Sequence, residues 1–364
     1  MRITGVATVM TSRHLKSVIL GAALIASLPA AAAFRDPLET PAQINLQLAK
    51  SSRLTAVTAA GERLVAVGPR GHILLSDDRG ASWKQVEVPV SVDLVAVRFV
   101  TPRDGWVVGH DGVVLHSADG GSTWAKQLDG QQAIRIMKDY FVQRADMGHE
   151  DARKLLSDVA RYEEEGPTKP FLDVLFLNEQ EGFIVGAFGQ AFHTRDGGKS
   201  WKPLLGRIDN PRSLHIYALA QSRGKIYAAG EQGMLLRWDA ERERFDAMAS
   251  PYRGSFFGLL GTETGLVAYG LRGNAFASHD GGASWSELRT GVTDAITGAA
   301  RLPDGGVVLA TQGGKLLVDS GRGHLQEMPV TRAMAYFSLA AAGPQSLVVV
   351  GSGGVQVESI SIQK

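Results

Sequence analysis

Residues 105–124, GWVVGHDGVVLHSADGGSTW, read as two short strands joined by a tight turn and followed by a second turn. Val107 and Val108 lead into Gly109-His110-Asp111-Gly112, whose flanking glycines can take the positive φ that a short hairpin demands. Val113, Val114 and Leu115 form the return strand. In the second turn, Asp119 can accept backbone N–H groups, Gly120 and Gly121 can bend the chain, and Trp124 offers a large apolar plate to a neighbouring sheet.

The first turn recurs at 68–71, 186–189, 230–233 and 270–273, with looser copies at 311–314 and 351–354. Between the last residues of successive turns the intervals are 41, 77, 44, 40, 41 and 40 residues. A period of about forty residues holding four short strands is the signature of a propeller blade, a unit too small to bury both of its faces alone. The pattern predicts an all-β fold, a seven-bladed β-propeller. Seven apolar stretches that should line the channel (54–57, 94–99, 174–177, 216–220, 256–260, 296–300 and 335–340) give the same number independently.

The last turn leaves too little chain for an outer strand in the seventh blade. Residues 42–48 alternate apolar Ile44, Leu46 and Leu48 with polar neighbours, a period of two, and are expected to supply that strand and close the ring. The 77-residue interval contains an insertion, 131–168, with helical spacing in 131–144 and 150–164 and Gly148 between them. It leaves the second blade after its outermost strand and enters the third at its innermost. It therefore belongs to the face of the hairpin turns, the top face, with Arg70, His110, Asp111, Phe188, Glu231, Gln232, Leu271 and Arg272.

The amino end reads as a signal peptide over residues 1–33. Arg2, Arg13 and Lys16 precede an apolar run at 18–28, too short for the roughly 20 residues of a membrane span, and 29–33, PAAAA, supplies the small residues of a cleavage site after Ala33. The expected mature chain, 34–364, is an exported periplasmic protein, peripheral to a membrane at most. Without the three basic residues of the signal, 35 Lys and Arg face 37 Asp and Glu, a balance that argues against nucleic acid. The chain has no cysteine, hence neither a disulfide framework nor a lipidated thiol.

Turns of the form S/T-x-D-x-G-x-S/T-W occur at 76–83, 117–124, 194–201 and 278–285 and resemble the Asp-box, or BNR, repeat. Asp78, Asp119, Asp196 and Asp280 could be acids or calcium ligands. Because braces recur with a repeat and catalytic groups do not, they read as structural, each with its tryptophan, Trp83, Trp124, Trp201 and Trp285. No cofactor, metal site or catalytic residue is expected. G-x-S-x-G, H-E-x-x-H and P-loop motifs are absent, and His72, His116, His193 and His279 read as rim or turn residues.

These turns, with Asp104-Gly105-Trp106 before Val108-Gly109 and Glu181-Gly182-Phe183 before Val185-Gly186, resemble the photosystem II stability and assembly factor family. The resemblance covers about residues 50–360. It implies an exported seven-bladed propeller without chemistry that holds membrane-protein subunits during assembly, or one accessory to an envelope transporter. The expectation is therefore a non-catalytic binding platform for a membrane or envelope protein, with neither nucleic acid nor small-molecule substrate. Candidate contacts are Arg70, His110 and Arg272 on the turns and Met137, Tyr140 and Phe141 on the insertion, which could also mediate self-association. The alternative is a sialidase-like glycoside hydrolase. It would need three converging arginines, from Arg53, Arg98, Arg301 and Arg332, and a nucleophilic Tyr217 or Tyr336.

Overall fold

Runs such as Arg63–Val67 and Ser346–Gly351 are apolar at almost every position, so neither face of such a strand can meet water. Each becomes the second strand of a sheet packed between two other sheets. The computed structural model describes residues 35–319 and 325–360. Among the described residues the chain forms seven antiparallel sheets, six of four strands and one of three, every sheet a meander in chain order. They span 56–85, 94–128, 171–203, 216–247, 256–287, 296–328 and 336–359. The first strands of all seven line one central cavity of about 660 Å³. This is an all-β propeller.

Hydrogen bonds stitch neighbouring first strands together. The Thr55 hydroxyl donates to the Leu94 carbonyl at 2.6 Å, and the Thr297 hydroxyl to that of Tyr336 at 2.6 Å. In the channel, Arg98 of the second sheet donates two bonds to Asp173 of the third, at 3.0 and 2.6 Å, and one to the Leu219 carbonyl of the fourth at 2.9 Å. The recurring tryptophans are the plates between sheets. Trp124 packs with Val65 and Leu75 of the first sheet, Trp201 with Trp106 of the second, and Trp83 with Val348 and Val350 of the seventh.

The turn glycines divide their work differently from the sequence expectation. Gly109 is extended at φ −169°, whereas Asp111 and Gly112 take φ of 53° and 66°. Only the last glycine of the motif answers to left-handed geometry. The first answers to crowding, since a Cβ on Gly109 would strike the Asp93 carbonyl at the head of its own sheet.

Closure also departs from expectation. Residues 42–48 add no strand to the seventh sheet, which stays three-stranded. Instead Leu46–Ser51 is a short helix, α1, whose N-cap Asn45 accepts the Leu48 amide at 3.1 Å. The stretch before it runs along the outer strand of the first sheet: Gln85 accepts from the Asn45 amide at 2.7 Å and donates to the Gln43 carbonyl at 2.8 Å. The ends still meet. The Leu54 amide donates to the Gly351 carbonyl at 3.0 Å, and Ala49 and Leu54 share a buried cluster with Val348 and Val350.

Two helices, α2 (Gly130–Asp146) and α3 (Glu150–Glu165), lie between the second and third sheets in chain order. Asp129 and Gln132 close a capping box at the start of α2. The apolar stripe faces inward: Met137 and Phe141 are 1% and 2% exposed and pack in one cluster with Val159, Tyr162 and Trp201. The signal-peptide segment lies outside the described residues.

Trp106 tests the packing between sheets. It is 1% exposed, stacks on Phe176 at 3.4 Å between ring centroids, and its Nε1 donates to Gln127 Oε1 at 3.1 Å. Trp106→Ala should cost about 3–5 kcal/mol in urea unfolding; a loss below about 1 kcal/mol would contradict the contact.

Candidate functional site

A meander places successive hairpins at opposite ends of its strands, so the two recurring turns occupy opposite faces. On one face stand the Asp-box turns. Asp119 Oδ1 accepts from the Ser117 hydroxyl at 2.8 Å and the Thr123 amide at 2.9 Å, and Oδ2 accepts from the Thr123 hydroxyl at 2.7 Å. Ser117 in turn receives the Gly121 amide at 2.8 Å. Asp78, Asp196 and Asp280 repeat the arrangement with Ser82, Ser200 and Ser284. Trp83 and Trp124 each donate Nε1 to a glycine carbonyl of their own turn, at 3.0 and 2.9 Å, while the indole nitrogens of Trp201 and Trp285 are buried without a partner. These four aspartates are fully engaged as braces, and among the described residues no three His, Asp or Glu gather as a metal site would require.

The bracing is electrostatic as well as geometric. The hydroxyl and amide of Ser82, with the Ser76 hydroxyl, hold the Asp78 carboxyl down to about 2. The matching donors at Asp280 push it below the usual carboxylate range. At Asp119 and Asp196 burial pushes upward, but the bonds from Thr123 and Ser200 outweigh it and both stay low. A carboxyl depressed in the folded state contributes stability that is complete above its unfolded value and is lost as pH falls through the folded one. The urea midpoint should therefore fall as pH drops from about 4 to about 2, and Asp78→Asn with Asp280→Asn should flatten that limb. An equally steep acid limb in the double variant would contradict the assignment.

The opposite face is made of the G-x-x-G turn tips and of the linkers that lead into the first strands. Arg70, His110 and Arg272 are exposed at three of the tips. The Arg70 amide donates to Asp93 Oδ1 at 3.0 Å and the His110 amide to the Asp93 carbonyl at 2.8 Å, so one residue fixes two tips and leaves both side chains outward. Arg53, Arg212, Arg253 and Arg332 stand on the linkers. Arg212 reaches Gln232 on a tip, and Arg332 the Gly353 carbonyl at 3.4 Å. Sequence reasoning missed Arg212 and Arg253; the available signal was an arginine three or four residues ahead of a first strand.

Among the described residues the guanidiniums of these six top-face arginines have no carboxylate partner, whereas at the other end and rim Arg63 meets Asp77, Arg195 meets Glu243, Arg242 meets Asp239 and Arg301 meets Glu263. Next to the cations runs an aromatic path. Phe188, 46% exposed, lies 4.7 Å from His215, which lies 6.0 Å from Tyr217, itself 5.8 Å from Phe257 at the cavity mouth. Glu231 accepts the His215 amide at 2.7 Å and the Tyr217 hydroxyl at 3.3 Å.

Two of the insertion candidates need correction. Met137 and Phe141 are buried against the sheets and are unavailable to a partner, because the stripe that could have met another protein covers the third sheet instead. Tyr140 is half-buried, edge-on to Phe141 at 5.1 Å. The sialidase constellation does not assemble. Arg98 is committed to Asp173, Arg301 sits at the far end of its strand on Glu263, and Arg53 lies over the Phe337 ring. Burial and the charge of Glu231 raise the Tyr217 phenol to about 12, the wrong direction for a nucleophile, and Tyr336 is wholly buried.

Fold and faces together define an Asp-box propeller that presents turn tips and cations at one open end. The model of the Photosynthesis system II assembly factor YCF48 family matches residues 54–150 and 172–361, and the chain belongs to that family. The unmatched span between the two stretches holds most of α3. The chain is 22% identical over 266 residues to the photosystem II assembly lipoprotein Ycf48 of Synechococcus sp. (strain CC9902), covering 71% of this chain and 69% of that protein. It is 25% identical over 304 residues to the chloroplastic photosystem II stability/assembly factor HCF136 of Oryza sativa subsp. japonica, covering 74% and 65%. A solved structure described as YCF48 bound to D1 peptide superposes with a TM-score of 0.61 at 16% identity, covering 88% of this chain and 96% of that one.

Proposed function

We propose that this protein is a non-catalytic, exported binding platform that holds a segment of a membrane or envelope protein on its top face during assembly. In this reading the seven sheets are seven blades of one ring, and residues 130–165 are an insertion into it. The signal segment 1–33 is removed after Ala33 and the mature chain works in the periplasm. The observation that carries the reading is a gathering of cations: six arginines on the top face have no carboxylate partner among the described residues, whereas Arg63, Arg195, Arg242 and Arg301 elsewhere are neutralised in place. Unneutralised guanidiniums bind carboxylates or main-chain carbonyls in a fixed fork. The exposed Phe188 beside them offers an apolar side chain a place to settle. A relative described with a bound D1 peptide, and relatives named as photosystem II assembly proteins, support a membrane-protein client.

Because Met137 and Phe141 belong to the core, deleting 131–168 would strip the third sheet rather than merely remove a docking wall. The test therefore uses the turns. A photo-crosslinking residue in place of Arg70 or Arg272 in intact cells should capture a membrane protein, and one in place of Ser284, on the Asp-box face, should not. Arg70→Glu with Arg272→Glu should weaken capture from a third top-face position about tenfold or more. Equal capture from both faces, or no effect of the charge reversal, would overturn the reading.

A further inference from the structure

Among the described residues the seventh sheet stops one strand short of the other six. In those six a fourth, antiparallel strand covers the third and in three cases buries a large side chain there: Leu128 at 1% exposure, Phe245 at 0% and Met328 at 5%. In the seventh the third strand, Gly354–Ser359, is itself the edge.

Its register says which groups are left over. Gly351 pairs with Gly354 across a two-residue turn, and further along the Ile360 amide donates to the Gln345 carbonyl. Even-numbered residues thus bond inward to the second strand. The N–H and C=O of Val355, Val357 and Ser359 point away from the sheet, and none has a partner among the described residues. The helix α1 reaches only the start of the strand, where the Lys50 carbonyl lies against Gly354.

The side chains around this edge divide by face. Toward the first sheet, where its methyl lies against Gly80, Val357 is 39% exposed, and on the same side α1 and its lead-in leave Leu48 and Ile44 at 45% and 55%. On the other face Gln356 and Glu358 are polar, and Glu358 accepts the amide and hydroxyl of Thr331, both at 2.9 Å. The strand GVQVES carries neither Pro nor Lys, the residues that usually blunt an edge.

We propose that this edge takes an extended, amphipathic segment of a partner protein as a fourth antiparallel strand, apolar toward α1 and polar toward Thr331. Main-chain hydrogen bonds to Val355, Val357 and Ser359 supply the attraction, and the alternation of side chains supplies the selectivity. The six completed sheets show the geometry of the occupant. A second copy of the chain is disfavoured as that occupant, because three part-exposed side chains fall far short of the roughly 800 Å² that each partner of a stable dimer buries. The site lies on the rim and uses none of the top-face arginines.

The test is fluorescence anisotropy of a labelled nine-residue peptide with Val at alternate positions and Thr or Ser between them, titrated with the purified chain. Amide exchange is followed in parallel. Binding should saturate and should slow exchange at Val355, Val357 and Ser359. Val357→Pro removes an N–H that faces out of the sheet, so it should leave the melting temperature nearly unchanged and weaken binding about tenfold or more. Should that variant unfold, the same peptide with its pairing-edge amides N-methylated should fail to bind the unaltered chain. Undiminished binding by the folded variant or by the methylated peptide, no binding at all, or slow exchange at the three amides without peptide would each overturn the proposal. A concentration-dependent doubling of mass that Val357→Pro abolishes would give the edge to a second copy and overturn it equally.

Discussion

The contact between the first and seventh sheets is the constraint on which the rest depends. Each second strand is apolar on both faces, so every sheet needs a neighbour on either side, and only a closed ring gives one to the first and the last. Closure is made locally. The Leu54 amide reaches the Gly351 carbonyl, Val57 donates to the Ser338 hydroxyl at 3.3 Å, and Trp83 rests on Val348 and Val350. A short helix, not a shared strand, seals the outer side of the seam with Leu46 and Ala49.

Once the ring is shut, its two ends diverge because their turns obey different physics. The Asp-box turn satisfies itself: carboxylate, hydroxyl and amides are consumed within eight residues, which stiffens that face and leaves it little with which to bind. The G-x-x-G turn satisfies its backbone through the linkers that lead into its own and the next first strand, as Asp93 does for His110 and Arg70, and so leaves its side chains outward. A face of outward-pointing side chains follows from that difference.

Much of this was legible in the chain because repetition multiplies a weak local signal. One G-x-x-G means little, but seven turns, with five of their six intervals near forty residues, fix the element order and the ends at which turns lie. The seam was misread because Ile44, Leu46 and Leu48 alternate like a strand, while Asn45 caps the next turn as a helix and Ala49 fills the closing cluster; over so few residues the periods of two and 3.6 compete. The stripe of Met137 and Phe141 looks the same in sequence whether it faces a partner or its own sheets. The arginines were illegible for another reason. In the sequence Arg53 and Arg332 read only as parts of a glycosidase site, and Arg212 and Arg253 not at all, because the four are far apart in the chain and share a surface only when the linkers are brought to one end of the ring.

Native-state hydrogen exchange at Leu54 tests the closure most directly, because its amide proton is shared with Gly351 across the seam. A closed ring requires this proton to exchange only through global unfolding, with the same denaturant dependence as buried second-strand amides such as that of Val65. Exchange at Leu54 that is fast and insensitive to denaturant while Val65 stays protected would mean that the ends come apart in the folded protein, and the account of a sealed propeller would be wrong.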